Sequence, residues 1–389
     1  MPIFKFGEKK PIKVLMMGGR RCGKTSALAS LFDQMQNGAT NTIFTVADKT
    51  QPETKVSPIN GKEECKDLLI NKKLELIDFI AKGDNKTFIV DQAPTMNSWE
   101  YNMQIQLPGT SKKCRMDFMD VPGEYFEPGN KNFEEVERFI EESSVFVIVI
   151  DTPFMMEGSD AERPAANCVD QIHSFLTSVD NKEAKQIIFA PVKCEKWMQK
   201  KDGENEIIQK LEETYGCTIN HFKVSANTEI SIIPIQTAGD IIFDSLKAPY
   251  TVVNTLTGKR PIDKCSKISD RLVIDSEGKF YQLKDNEIIN DHPLGFFTNT
   301  RIGRPFAWYR LKNDAQYRPY NCEQLPLHIL RFMFNKFKEE VPGGIIGNLL
   351  SFMFGSITVK DMQESLDKLS KANLIKDNEE GIKTIKKCF

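Results

Sequence analysis

Three short stretches of this chain carry residues whose types and spacing could do chemistry. In the first, Gly18-Gly19-Arg20-Arg21-Cys22-Gly23-Lys24-Thr25, followed by Ser26, a lysine and a hydroxyl stand directly after a glycine-flanked loop. Glycines at the first and sixth positions let the backbone curl so that several amide N–H groups point inward, and a helix starting there adds its positive end. Such a loop cradles phosphate: Lys24 reaches the β- and γ-phosphates, and the Thr25 hydroxyl ligates Mg²⁺. The pattern demands a strand before it and a helix after it. IKVLMM (12–17) reads as a short buried strand, and Ala27, Leu28, Leu31, Phe32 and Met35 recur at helical spacing.

The second stretch is Asp120-Val121-Pro122-Gly123-Glu124. A carboxylate at the end of a strand can hold Mg²⁺ through water, and a glycine amide can contact a γ-phosphate. By itself this pattern is equally a turn after a strand. Its weight comes from its place behind the second of two strand-like runs, WEYNMQIQL (99–107) and CRMDFMD (114–120), joined by PGTSKK. The third stretch, Val192-Lys193-Cys194-Glu195, follows the apolar run KQIIFAPV, and Ser225-Ala226 ends HFKVSA, which reads as the next strand.

Together these stretches resemble the Ras-like P-loop GTPases, in their translation-factor-related class. The resemblance covers about 12–35 and 94–227 and resumes at 321–338 as a closing helix. It implies that Pro94-Thr95 is switch I, with Thr95 coordinating Mg²⁺ and sensing the γ-phosphate. Asp120 follows 25 residues later and, with Gly123 and Glu124, stands for switch II. Lys193 would lie along a guanine base with its aliphatic stem, Glu195 would accept its hydrogen bonds, and Ser225-Ala226 would offer a backbone amide to the guanine oxygen.

The chain departs from the family at several of these positions. The usual Asn-Lys-x-Asp is here Val192-Lys193-Cys194-Glu195, so guanine is favoured while adenine stays open. Glu124 stands where many relatives carry glutamine to orient the attacking water, which implies hydrolysis that is slow or partner-stimulated. Arg20 and Arg21 stand where small residues are usual. Arg20 could stabilise transition-state charge as an arginine supplied in cis, or both could face solvent or pair with a carboxylate.

Positioning these residues takes alternating strands and helices. Strands at 12–17, 114–120, 145–151 (VFVIVID), 185–192 and 221–226 alternate with helices at about 131–142, 164–179 and 204–214. This is the pattern of an α/β P-loop NTPase, a mostly parallel sheet with helices on both faces. A GTPase core over 1–230 would carry a helical insertion at 36–93, before switch I. A β-rich insertion would occupy 231–320, with RLVIDSEGKFYQL as a hairpin, and 321–389 would hold the closing helix and an apolar, helical extension. The apolar stretches SSVFVIVI and GGIIGNLLSFMFG are too short to cross a bilayer as helices, which takes about 20 residues.

The nine cysteines form no C-x-x-C pair, and the four histidines stand in no metal-ligand spacing with them. This argues against a disulfide framework and a zinc site and points to a reducing, cytoplasmic location. A net charge of −2 exerts no global pull on nucleic acid. TRIGRPFAWYRLKNDAQYRPY (300–320) interleaves arginines with aromatics, as single-strand binders do, but the same pattern suits a strand with one buried face or a protein-binding surface. A fainter similarity, to the bacterial double-GTPase-like domains of conflict and anti-phage gene clusters, rests on IIPIQTAGD (232–240) and NCEQLPLHIL (321–330). The reading is thus a GTP/GDP- and Mg²⁺-dependent switch acting on a protein effector, with a homo-oligomer open. An ATP-using P-loop NTPase and a GTP-locked scaffold are the rivals.

Overall fold

The computed structural model describes residues 11–37, 65–82, 88–89, 98–106, 113–126, 130, 132–178, 185–225, 227–247, 266–269, 272–274, 279–284, 287–288, 295–296, 306–340, 364 and 382–386. In chain order come β1 (Ile12–Met17), α1 (Lys24–Asn37), α2 (Cys65–Lys82), β2 (Phe88–Ile89), β3 (Trp99–Gln106) and β4 (Lys113–Asp120). A 3-10 turn at Gly123–Phe126 leads to α3 (Phe133–Glu142), β5 (Val145–Asp151), α4 (Thr152–Glu157), α5 (Glu162–Asn167) and α6 (Val169–Ser178). Then follow β6 (Lys185–Val192), α7 (Gly203–Thr214), α8 (Gly216–Lys223), β7 (Thr228–Ile232) and β8 (Ile241–Lys247). Short strands β9 (Ser266–Ser269), β10 (Leu272–Ile274), β11 (Lys279–Lys284), β12 (Glu287–Ile288) and β13 (Gly295–Phe296) precede β14 (Phe306–Leu311), α9 (Gln324–Glu340) and β15 (Lys383–Lys386).

Seven strands form the central sheet in the order β15-β7-β6-β5-β1-β4-β3. The five inner strands are parallel, and β3 and β15 close the two edges antiparallel. Successive side chains of a strand face opposite ways, and β1 shows this directly. Ile12, Val14 and Met16 join one apolar cluster with Leu28 and Leu31 of α1 and Leu327 and Leu330 of α9. Leu15 and Met17 join another, with Val136 of α3, Ile172 of α6 and Ile207 of α7. Both faces are covered, as a mostly parallel sheet requires.

From β1 the chain moves to β4 on one side, then returns through α3 to β5 on the other. The C-terminal end of β1 is therefore a topological switch point, where open α/β sheets bind their ligands.

The fold differs from the sequence reading in four places. The expected helix at 164–179 is two helices, broken at Cys168, whose φ of 51° is left-handed. The first half of the segment read as the strand HFKVSA, residues 221–223, is instead the end of helix α8, because Tyr215, Ile219 and Phe222 are buried at helical spacing. The strand comes after it, at β7, whose Thr228, Glu229 and Ser231 are all buried. Within the tail, 383–386 pairs with β7 as an edge strand of the sheet and is not a helical extension.

The expected hairpin forms: β10 pairs antiparallel with β11. Strand β14 pairs with β8 on one side and β2 on the other, so a segment between β1 and β3 meets segments that follow β7 in a three-stranded sheet. No helix among the described residues is long and apolar enough to cross a membrane. The stretch 343–355, and all of 359–375 except Glu364, where the sequence pattern predicts a short amphipathic helix, lie outside the described residues.

Candidate functional site

A cleft opens at the C-terminal end of β1, with about 910 Å³ of empty space counting its mouth. Its walls are the loop 20–26, Pro122 and Gly123 after β4, Lys193 and Glu195 after β6, Thr237 and Ala238 after β7, Lys72 and Leu76 of α2, Ile241 of β8 and Tyr309 of β14.

The loop has the backbone its glycines were expected to allow. Gly23 adopts a φ of 111°, a conformation that side-chain-bearing residues rarely take. The Ala27 amide donates to the Gly23 carbonyl at 2.9 Å and starts the turns of α1. Lys24 is buried at the helix start, and its ammonium donates to the carbonyls of Gly18 (3.1 Å) and Gly19 (3.3 Å). Ser26 is also buried and lines the cleft.

Beside the loop, β4 delivers Asp120. Because Met16 and Asp120 are register partners in parallel strands, the Asp120 carboxylate lies level with the start of the loop. The Thr25 hydroxyl donates to Asp120 Oδ2 at 2.6 Å. Burial raises the pKa of this carboxyl, while Lys24, Thr25 and Lys72 oppose the shift. Asp120 Oδ1 is buried and has no hydrogen-bond partner among the described residues. A buried carboxylate oxygen without a donor is costly, so this corner suits a hydrated cation. Thr25 and Asp120 are the residues that would hold Mg²⁺, in keeping with the hard oxygen donors that ion prefers.

Gly123 seats the turn after β4 against the loop. A Cβ there would lie 2.5 Å from the Arg20 amide nitrogen and 2.7 Å from the Gly19 carbonyl carbon, so only glycine fits without displacement. The next residue, Glu124, pairs with Arg20 (Nη1 to Oε1, 2.8 Å). Of the two roles weighed for Arg20, the structure has the carboxylate pairing. Arg21 holds a left-handed φ of 60°, and its carbonyl accepts from Lys193 Nζ at 3.2 Å.

At the other end of the cleft, Lys193 has a φ of 59°, and its ammonium donates to Asp151 Oδ2 at 2.6 Å. Burial alone would pull the Lys193 pKa down; the Asp151 carboxylate outweighs it and the net shift is upward. Glu195 is 2% exposed, and its Oε1 accepts the amides of Ala238 (2.8 Å) and Gly239 (3.3 Å). Burial raises its pKa against the pull of those amides. Thr237 Oγ1 accepts the Lys193 amide at 3.2 Å. Val192, which has no polar group, packs near Gly23 inside the core.

The structure brings together Gly18, Arg20, Gly23, Lys24, Thr25, Ser26, Asp120, Gly123, Glu124, Lys193 and Glu195. Ser225 is not among them. It follows α8 and precedes β7, so it lies at the N-terminal edge of the parallel strands, roughly 20 Å of strand length from the cleft. The loop that reaches the cleft after β7 is Thr237-Ala238-Gly239. Thr95 and Ala226 lie outside the described residues. Sequence reasoning passed over Asp151, Thr237, Lys72 and Tyr309. Asp151 carried a signal, a lone carboxylate ending an all-apolar strand, and Thr237-Ala238-Gly239 stood at the end of a strand-like run.

No protein-family model matches the chain, and no curated protein matches it. Among solved structures, the chain is similar to the Ski7 GTPase-like domain of S. cerevisiae bound to GTP, with 15% identity over 80% of this chain and 73% of that one and a TM-score of 0.31. The same domain bound to GDP and inorganic phosphate gives 14% identity over the same shares and a TM-score of 0.28. Likenesses at these scores carry no weight for individual residues, and the site stands on its geometry.

Proposed function

We propose that this chain is a GTP-binding switch protein of the Ras-like kind, hydrolysing GTP slowly or with a partner's help and reporting its state to a protein effector. The observation that supports this most is the junction of β4 with the loop: Thr25 on Asp120 at 2.6 Å, with Gly123 packed on the loop backbone. A strand-end carboxylate beside a phosphate loop is what Mg²⁺–triphosphate binding needs, and a turn seated on that loop can respond to a terminal phosphate. In this reading Lys24 leaves the Gly18 and Gly19 carbonyls for the β- and γ-phosphates, and the Gly123 amide meets the γ-phosphate. Bound Mg²⁺ would neutralise charge shared by the β- and γ-phosphate oxygens. Thr95 keeps its proposed part as the second sensor.

At the base end, Lys193 supplies its stem, Glu195 accepts, and Thr237-Ala238-Gly239 takes the part first given to Ser225-Ala226. Glu195 already accepts two loop amides, which favours keeping adenine as a rival base. Mass spectrometry of nucleotide co-purifying with the protein tests base and phosphate state together: GTP or GDP is expected, and ATP or ADP alone would replace guanine by adenine. A titration against GTP, ATP and buffer settles binding if nothing co-purifies.

The scaffold reading is favoured by one contact, the Arg20–Glu124 pair, which ties up both groups that could act on the attacking water. Their side chains are 34% and 26% exposed, so the pair contributes at most about 1 kcal/mol and can be exchanged for a phosphate. Single-turnover hydrolysis decides, because a rate equal to that of GTP in buffer would leave binding without catalysis. Arg20→Ala with unchanged turnover would remove that arginine from the mechanism. A role beside an anti-phage effector remains a proposal resting on the two runs at 232–240 and 321–330.

A further inference from the structure

Helix α2 lies between α1 and β3, outside the three stretches read as nucleotide-binding, yet one of its lysines faces the cleft. Leu69, Lys72 and Leu76 are spaced three and four residues apart and so share one face of the helix. Leu69 is 1% exposed and belongs to the apolar cluster that includes Leu28 and Leu31 of α1; Leu76 is 5% exposed and belongs to the cluster on the other face, which includes Met119 and Val121. Lys73 pairs with Asp33 of α1, which fixes the helix from the adjoining face. Lys72 therefore stands on the buried side of a docked helix, with its side chain 11% exposed. An ammonium in such a place is costly unless it meets an anion. Its partner in the structure is Glu75 of the next turn, at 3.0 Å and 45% exposed, which is a weak and replaceable contact.

We propose that Lys72 is a ligand of the terminal phosphate, so that α2 distinguishes a triphosphate from a diphosphate. Lys72 and Leu76 line the same cleft as Lys24, Thr25 and Gly123. Helix α2 packs on α1, which carries Lys24 and Thr25 in its first turn, and touches β3, the strand paired with β4 and so with Asp120, which puts α2 on the side of the cleft where the metal and γ-phosphate are proposed. The base end is marked by Lys193, Glu195 and Tyr309. When a γ-phosphate arrives, Lys72 exchanges Glu75 for it, and the helix is held by the nucleotide as well as by its apolar anchors. This rests on the nucleotide reading above.

The test uses the full chain with Mg²⁺ and two fluorescent probes, mant-GppNHp and mant-GDP, or their adenine counterparts if adenine is the base. Lys72→Gln is expected to weaken the triphosphate analogue roughly tenfold and to leave the diphosphate within about twofold, while Lys72→Arg keeps most of the affinity. Thermal melting of each variant without nucleotide separates misfolding from ligand loss, and a ratio of the two affinities is insensitive to a fraction of inactive protein. An unchanged triphosphate-to-diphosphate ratio in Lys72→Gln, with the wild type binding both, overturns this proposal and leaves the nucleotide reading standing. A wild type that binds no purine triphosphate overturns both.

Discussion

At the end of the cleft proposed to hold phosphate, consecutive residues Arg20 to Ser26 form one unbroken stretch of wall, and its shape rests on the backbone, with Gly23 at a φ of 111° and Lys24 held on the Gly18 and Gly19 carbonyls. At the end proposed to hold the base, Lys193, Glu195, Thr237 to Gly239 and Tyr309 come from three separate parts of the chain, the first two joined where a side-chain oxygen of one part accepts a backbone amide of the other. A backbone cradle tolerates few changes, because amide positions depend on particular φ values and close approaches. A cluster of side chains can change one member and keep the rest. The irregular residues follow that division: the Gly18 to Thr25 pattern is complete, while Val192 and Glu195 depart from the Asn-Lys-x-Asp expected of the resemblance.

Breaking the phosphate end should cost most. Lys24→Ala is expected to lower affinity for GTP–Mg²⁺ by about a hundredfold or more, read by calorimetry, because the buried ammonium proposed to meet the β- and γ-phosphates is lost. Equal affinity in the variant would mean the loop holds something else.

Gly123→Ala probes the contact between the turn and the loop. Its Cβ would press on the Arg20 amide, so hydrolysis should fall about tenfold to a hundredfold while GDP affinity stays within about threefold. Equal losses for GDP and for turnover would assign Gly123 to folding alone.

Glu195→Gln sharpens the base end. If the carboxylate reads guanine, the preference for GTP over ATP should shrink roughly tenfold in competitive binding, with ATP little changed. If it only ties down the Ala238 and Gly239 amides, both nucleotides should weaken together.

The smallest effect lies in β4, away from both ends. Burial lifts the Asp117 carboxyl from 3.8 to about 6, with Arg115 opposing and Glu100 adding to the rise. A raised acid favours the folded state while protonated, so this contribution is complete below pH 3.8 and is lost as pH climbs through about 6. Asp117→Asn should flatten that slope and melt a few degrees higher above pH 6, about the shift expected of a change near 1 kcal/mol. An unaltered melting-against-pH curve would place the carboxyl in a better-solvated setting.

The same division explains what could be read from the sequence. The loop, its flanking strand and helix, and Asp120 with Gly123 are local patterns, and periodicity with glycine spacing sufficed for them. Strand β7 escaped because its Thr228, Glu229 and Ser231 look like a surface segment. Glu229 can be buried because it finds Gln186 at 3.1 Å and Arg331 at 3.2 Å, a network spanning β6, β7 and α9 that no local window contains. With β7 placed one segment too early, Ser225 was assigned to the cleft in place of the loop after the true strand. Tyr309 was visible only as one aromatic among several in 300–320, since its role depends on β14 reaching the cleft.

The small sheet β2-β14-β8 has one more consequence. Phe88 and Ile89, two residues from ahead of β3, pair with Tyr309 and Trp308, from far beyond β7. Either segment excised for transplantation into another scaffold would leave an unpaired strand border, open to adhesion between molecules. The two are therefore a single unit for protein engineering, and a working graft must carry both halves along with the part of the cleft wall that Tyr309 supplies.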